Sequence, residues 1–272
     1  MSPRAAADLH FRKVTTYSKE GTIMTELSGT TAIVTGASRG FGRAIAAALV
    51  GAGARVVGVA RDRAALESAS ESLGDGFEPC VADVTDFTLP GRLFDAYRPG
   101  LVVLNAGARP LPRALQQLTW EAFSSPWETD VRQAFAFHRE ALLTPLEPGS
   151  TVIAVSSRAA LGGSALSGGY AGAKATVRFV AGYAADESAR AGLGIRFLSL
   201  LPDLTDATGL GGAAVEAYAR RLGVDVAEFL RRRGTGQLSP EQVGAAVLDL
   251  ARGKGGNGEA YSVTAQAFEP LG

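Results

Sequence analysis

The sequence has little of what several large functional classes require. It holds one cysteine in 272 residues, Cys80. No intrachain disulfide can form, which suits a reducing compartment such as the cytoplasm. Two histidines, His10 and His138, stand far apart, too few for a His-rich zinc or iron site, so no metal is expected. Neither sign of charge is in excess, because 27 Lys plus Arg balance 27 Asp plus Glu. Phosphate-dominated recognition needs a net basic face, so nucleic acid is not an expected partner. No apolar run approaches the ~18 residues of a membrane span without Gly or charge, and no membrane partner is expected. No Pro- or Ser-rich linker divides the chain.

What is there is rhythm. The first 26 residues are mixed, basic and polar, resembling neither a secretory signal nor an anchor. They are read as a disordered extension or an upstream start, or alternatively as an arm packing on another subunit. From Thr30 onward, short apolar runs alternate with longer amphipathic stretches. TAIVTG (31–36), ARVVGVA (54–60), FEPCVAD (77–83), LVVLNAG (101–107), STVIAVSS (150–157) and GIRFLSLLP (194–202) read as strands. Helices are expected between them, including long ones over Pro126–Leu143 and Tyr170–Ala191. Strands that are apolar throughout, rather than at every second residue, belong to a parallel sheet covered on both faces. The expectation is one doubly wound α/β domain, 27–272, of the Rossmann type, with a mostly or wholly parallel seven-stranded sheet. Residues 203–235 follow strand six, where insertions overhang the ligand crevice. They read as a substrate lid or as a packed surface helix pair, with Arg231, Arg232 and Arg233 as a solvated helix end.

Between the first strand and the first helix stands TGASRGFG, with Gly36, Gly40 and Gly42. Glycines there let a diphosphate approach the backbone, and the helix N-terminus offers N–H donors and positive partial charge. Gly-rich turns are common, but this one stands between a strand and a helix, as a dinucleotide site requires. An acidic residue at the end of strand two usually grips a free ribose 2′-hydroxyl. Here that place is Ala60, followed by Arg61, and Arg39 sits inside the glycine turn. Two guanidinium forks suit a 2′-phosphate, so NADP(H) is the preferred cofactor and NAD(H) a second choice.

In SSRAALGGSALSGGYAGAK, Tyr170 and Lys174 are four residues apart on one helix face. Ser157 closes strand five thirteen residues earlier, and a Gly-rich loop can fold the helix start back over the strand end. A phenol ionises near pH 10 in reference peptides. A neighbouring ammonium favours the phenolate, which would let the tyrosine exchange a proton with an alkoxide or alcohol.

These pieces together resemble the short-chain dehydrogenase/reductase family, from Thr30 to about Pro202. The TGxxxGxG spacing matches that family's cofactor turn, which places Gly36, Ser38, Arg39, Gly40, Phe41 and Gly42 beside the dinucleotide. By the same resemblance Asp83 and Val84 contact adenine, Asn105-Ala106-Gly107 is the motif that steadies the sheet beside the cofactor, and Pro202 flanks the nicotinamide. Ser157, Tyr170 and Lys174 match the family's catalytic residues, with lysine also binding the ribose. The implied activity is hydride transfer between NADPH and a carbonyl or alcohol of a small organic substrate, in a homodimer or homotetramer packed through the two long helices.

The chain also departs from the pattern. Where the family commonly has asparagine before strand five, Asp130 stands in WETDVRQAF, a candidate member of the catalytic constellation. Pro202 is followed by Asp203 rather than glycine. The expected threonine place falls on Ala207, flanked by Thr205 and Thr208. The family's glycine pair after the last strand is missing. Two other readings remain: a non-catalytic dinucleotide-binding regulator, and another reaction on the same fold such as epimerisation or dehydration. Arg109 would meet either an anionic substrate or solvent, and Leu204, Leu210, Val215 and Tyr218 suggest an apolar pocket.

Overall fold

The computed structural model describes residues 27–234 and 236–271; the proposed N-terminal extension, 1–26, lies outside them. The strands are β1 (Thr31–Thr35), β2 (Arg55–Ala60), β3 (Phe77–Val81), β4 (Leu101–Leu104), β5 (Thr151–Val155), β6 (Arg196–Pro202), β7 (Ala260–Val263) and β8 (Phe268–Pro270). They form one sheet in the order β3-β2-β1-β4-β5-β6-β7-β8. Every pairing is parallel except the last, β7 with β8. The sequence reading expected seven strands. The eighth arises because Thr264 turns the chain, its Oγ1 accepting from the Gln266 and Ala267 N–H groups at 3.2 and 3.0 Å. The tail then returns along β7, where a glycine pair was missed.

Alternate residues of each strand enter different cores, which explains the unbroken apolar runs. Ala32 and Val34 pack on one face with Ile45 and Leu49 of α1 (Gly40–Gly51), Leu66 of α2 (Arg63–Leu73) and Val243 of α9 (Pro240–Ala251). Ile33 and Val57 pack on the other with Leu93 of α3 (Leu89–Tyr97), Phe137 of α5 (Arg132–Leu143) and Ala184 of α6 (Tyr170–Ala191). Ser239 and Gln242 close a reciprocal capping box at the start of α9.

The expected helix over 126–143 is not one helix. α4 (Trp120–Pro126) gives way to a wide turn over Trp127–Val131 with i→i+5 character before α5 begins. Such wide turns are rare and gather at functional sites. This one carries Asp130. The segment after β6 forms a helix pair, α7 (Gly209–Leu222) and α8 (Val226–Arg233), around Val215, Ala219 and Phe229.

Candidate active site

β1 and β4 are neighbours in the sheet, yet their following segments leave toward opposite faces. The strand order reverses there, and a ligand crevice opens at the carboxyl ends of such strands. A crevice of about 940 Å³ lies at that point. One end is the glycine turn. Gly36 has φ of +67° and Gly40 of +54°, in the left-handed region that favours glycine. A Cβ on Gly36 would lie 2.9 Å from Ala106 Cα. Gly42 is not on the crevice wall. It lets α1 meet the turn, since a Cβ there would stand 2.1 Å from the Gly36 carbonyl oxygen. No side chain caps the N-terminus of α1 and no acid occupies its first turn, leaving its N–H groups for an anion. Ser38 and Phe41 complete this wall, with Phe41 also packing on the core.

The motif after β4 is tied to the turn. Asn105 Nδ2 donates to the Thr35 and Gly36 carbonyls at 3.1 and 3.4 Å, and the Asn105 and Ala106 N–H groups donate to Thr35 Oγ1 at 2.9 and 3.1 Å. Gln133 Nε2 donates to the Ala106 carbonyl at 2.9 Å. The sequence reading missed Thr35 and Gln133; Thr35 stands next to Gly36 in the motif itself.

Arg39, within the turn, and Arg61, after β2, both line the crevice and are exposed. The Arg39 side chain makes no hydrogen bond or ion pair among the described residues, and Arg61 Nη1 lies 3.9 Å from Asp83 Oδ2. Asp62 caps α2, accepting from the Ala65 N–H at 3.1 Å. Asp83 accepts from the Thr85 N–H and hydroxyl, both at 2.9 Å. The backbone N–H is the main cause holding its carboxyl below the ordinary value. Val84 lies beside it on the wall.

Ser157, Tyr170 and Lys174 line the same crevice. Ser157 Oγ accepts from the Ala159 N–H at 3.2 Å, which leaves its O–H free to donate. Ser156 is committed elsewhere, its buried hydroxyl donating to the Lys174 carbonyl at 2.7 Å. Lys174 Nζ lies 5.8 Å from the Tyr170 ring centroid. It donates to the Val155 carbonyl at 3.0 Å and pairs with Asp130 Oδ2 at 2.9 Å. Burial alone would depress the lysine, but the Asp130 carboxylate, with a smaller contribution from Tyr170, raises its pKa above the usual value. The other Asp130 oxygen accepts from the Ala108 N–H at 2.7 Å. Gly107 makes room for this carboxylate, since a Cβ would meet Asp130 Oδ2 at 2.9 Å. Asp130 therefore fixes Lys174 through its side chain.

Pro202 ends β6 on the crevice wall. After it, Thr205 is buried and donates to the Leu238 carbonyl at 2.7 Å, while Thr208 caps α7. Both line the crevice, with Ala207 between them. Of the apolar candidates in the helix pair, Leu204, Leu210 and Tyr218 line it too, whereas Val215 turns into the pair's own core. The Tyr218 hydroxyl contacts Ser164 Oγ, joining the pair to the loop before α6. One reading of this region is corrected. Arg231 and Arg232 pair with Glu228 at the surface, but Arg233 turns inward and Nη2 binds both oxygens of Asp203 at 2.9 Å. Asp203 follows β6 at the crevice wall, so its carboxylate draws the last residue of α8 in.

A family model described as short chain dehydrogenase matches residues 30–219, the stretch that carries the turn and the Ser–Tyr–Lys set. The chain belongs to the short-chain dehydrogenase family. It is 35% identical to L-xylulose reductase of Homo sapiens over 106 residues, 39% of this chain and 43% of that protein. It is 33% identical to carbonyl reductase (NADPH) 2 of Sus scrofa over 128 residues, 46% and 52% of the two chains. The chain thus spans about half the length of the curated relatives it matches. A crystal structure of 3-ketoacyl-(acyl-carrier-protein) reductase from Brucella melitensis complexed with NADH shares the fold, with a TM-score of 0.73 at 24% identity, over 87% of this chain and 97% of that one. The matched stretch carries the glycine turn, Ser157, Tyr170 and Lys174, with Asp130 where the resemblance predicts asparagine. Among the described residues no helix is long and apolar enough to cross a membrane, and no group of three or more His, Cys, Asp or Glu could hold a metal ion.

Proposed function

We propose that the protein is an NADPH-preferring oxidoreductase that interconverts a carbonyl and an alcohol on a small organic substrate. The observation that carries this reading is that one crevice holds both the glycine turn and the Ser157–Tyr170–Lys174 set. A dinucleotide fits the wall formed by the glycine turn: the turn carries no side chains at Gly36 and Gly40, and the start of α1 has no side-chain cap to occupy its donors. Gly36, Ser38, Gly40 and Phe41 would hold the diphosphate, Asp83 and Val84 the adenine, and Asn105-Ala106-Gly107, Lys174 and Pro202 the nicotinamide end. Arg39 and Arg61 would receive a 2′-phosphate, while Asp62 is occupied as a helix cap. Bound nicotinamide supplies or accepts the hydride.

The protein's own part is placement and proton transfer. Ser157 donates its hydroxyl hydrogen to the substrate oxygen, and Tyr170 gives a proton to the alkoxide or takes one from the alcohol. Positive charge at Lys174 stabilises the negative charge that develops on the Tyr170 oxygen. Asp130 is a positioning residue, since it acts through Lys174. The helix pair after β6 serves as the lid. Homo-oligomers would pack through α5 and α6, where Phe135, Phe179 and Tyr183 are exposed, in a reducing cytoplasm that suits the lone thiol.

Fluorescence titration tests the cofactor. NADPH should bind more tightly than NADH, and the Arg39→Ala/Arg61→Ala variant should bring NADPH down to the NADH value. Equal affinity for both cofactors in the native chain would refute the arginine clamp. Failure to bind either would favour a protein without dinucleotide chemistry.

A further inference from the structure

Three charged side chains that none of the proposed catalytic steps uses meet on the crevice wall. Asp203 is held at the end of β6 by its N–H, which donates to the Val263 carbonyl at 2.9 Å. Its carboxylate, 11% exposed, accepts from Arg233 Nη2 through both oxygens, and Arg158 Nε lies 3.7 Å from Oδ1. The remaining bonds fix the two guanidinium planes: Arg158 Nη1 donates to Ser262 Oγ at 2.7 Å, and Arg233 Nη1 to the Leu204 carbonyl at 3.1 Å. Arg158 Nη2 and Arg233 Nε donate to no group among the described residues. The two arginines are 39% and 23% exposed, and both line the crevice.

Two cations thus share one carboxylate, leaving one net positive charge in a partly desolvated wall. Arg158 directly follows Ser157, and the two residues line the same crevice. Arg109 does not belong to the cluster. Its Nη2 stands 3.2 Å from where a Cβ on Gly209 would lie, at the start of α7, beside Thr208 and the glycine turn.

We propose that the substrate carries one carboxylate a few bonds from its reacting carbonyl, and that Arg158 and Arg233 receive it. The proposal rests on the oxidoreductase reading and names its substrate class, an oxo acid or hydroxy acid. The donors left over, Arg158 Nη2 and Arg233 Nε, can form charge-assisted hydrogen bonds to a carboxylate, and one carboxylate balances the one unpaired charge. Asp203 acts as a positioning residue that aligns both arginines and keeps their mutual repulsion in check.

Binding and turnover are measured separately. Calorimetric titration of the NADP⁺-loaded protein compares phenylacetate with phenylacetamide, neither of which has a reducible carbonyl. Phenylacetate should bind at least about ten-fold more tightly, the scale of a charged hydrogen bond. Arg158→Met and Arg233→Met should each reduce that preference, and Arg158→Lys should retain part of it. NADPH titration of each variant reports whether it is folded. In turnover, the ratio of kcat/KM for phenylpyruvate to that for its methyl ester should fall about ten-fold or more in Arg158→Met. Equal binding of acid and amide, or a preference that survives both Met substitutions, overturns the proposal. If the preference holds and depends on the arginines while neither acid nor ester is reduced, the anion site stands and the oxidoreductase reading fails.

Discussion

Asp130 is a buried charge in the crevice wall, and removing it has a calculable effect. Its side chain is 1% exposed, that of Lys174 is 7% exposed, and the charged atoms are 2.9 Å apart. Deleting one member of a buried pair costs about 3–5 kcal/mol, because the other charge is left without compensation. Asp130→Leu and Lys174→Met should each fall in that range at pH 7. The double variant should recover most of the loss, since it strands neither charge. At roughly 2–4 °C per kcal/mol for a domain near this size, each single variant should melt ~6–20 °C lower. Asp130→Asn keeps an acceptor for the Ala108 N–H and should lose less. Urea unfolding across pH adds a second readout. The folded pKa of Lys174 is raised above 10.5, so the pair's contribution is full below that value and is lost as pH rises through the folded pKa. The gap between the native chain and Asp130→Asn should therefore hold steady from about pH 7 to 9 and narrow above about 10.5. Single losses under about 1 kcal/mol, or losses that simply add in the double variant, would refute the account of a mutually compensating pair.

His138 and Gly42 offer two further tests. The His138 ring is buried against Phe197, with Nδ1 2.6 Å from the Ala134 carbonyl and Nε2 without a hydrogen-bond partner among the described residues. Burial pushes its pKa down from 6.5 to about 4, against the pull of that carbonyl. The unfolded chain therefore binds a proton that the folded chain refuses. Stability is full above pH 6.5 and should fall by up to about 3 kcal/mol as pH drops toward 4. His138→Leu should remove this slope, measured as the difference in urea midpoints between pH 7.5 and 4.5; parallel slopes in the two proteins would contradict it. Gly42→Ala places a methyl 2.1 Å from the Gly36 carbonyl oxygen, so the turn must shift. NADPH affinity should drop at least about ten-fold, alongside a lower melting temperature, the scale of overpacking a tight contact; unchanged affinity would show that the turn is more pliable than its contacts imply.

The sheet and the crevice residues were legible because each rests on a local pattern. Unbroken apolar runs mark strands with two buried faces, and Tyr170–Lys174 lie on one helix face whatever packs around them. Ranges such as Tyr170–Ala191 appear in the fold as read, Gly192 ending α6 in a left-handed conformation. What escaped depends on contacts distant in sequence. The wide turn at Trp127–Val131 leaves no periodic signal, and although Asp130 stands out as a candidate in the sequence, its ion pair with Lys174, 44 positions away, appears only in the fold. Arg233 ends a basic run that looks solvated, and only Asp203 turns it inward. β8 is three residues long, below what alternation can reveal. Helix α9 had an available signal in Ser239-Pro240-Glu241-Gln242, a capping box followed by an apolar stripe.

The Asp130–Lys174 pair also changes which residue discriminates between an enzyme and a silent member of the fold. Lys174 has a structural reason to be present, because Asp130 would otherwise be a stranded buried charge. Its presence therefore says little about chemistry. Tyr170 is different: it is half-buried on the crevice wall, and its hydroxyl makes no hydrogen bond among the described residues. A phenylalanine would satisfy every contact that the tyrosine ring makes. Tyr170→Phe should therefore leave stability within about 0.5 kcal/mol, as for a substitution that breaks no buried contact. It should also leave NADPH bound, while turnover of a reducible carbonyl falls about 10²- to 10⁴-fold. Retained turnover would remove Tyr170 from the proton transfer. A comparable loss of stability would mean that the hydroxyl has a structural partner, and the tyrosine would then be as uninformative about chemistry as the lysine.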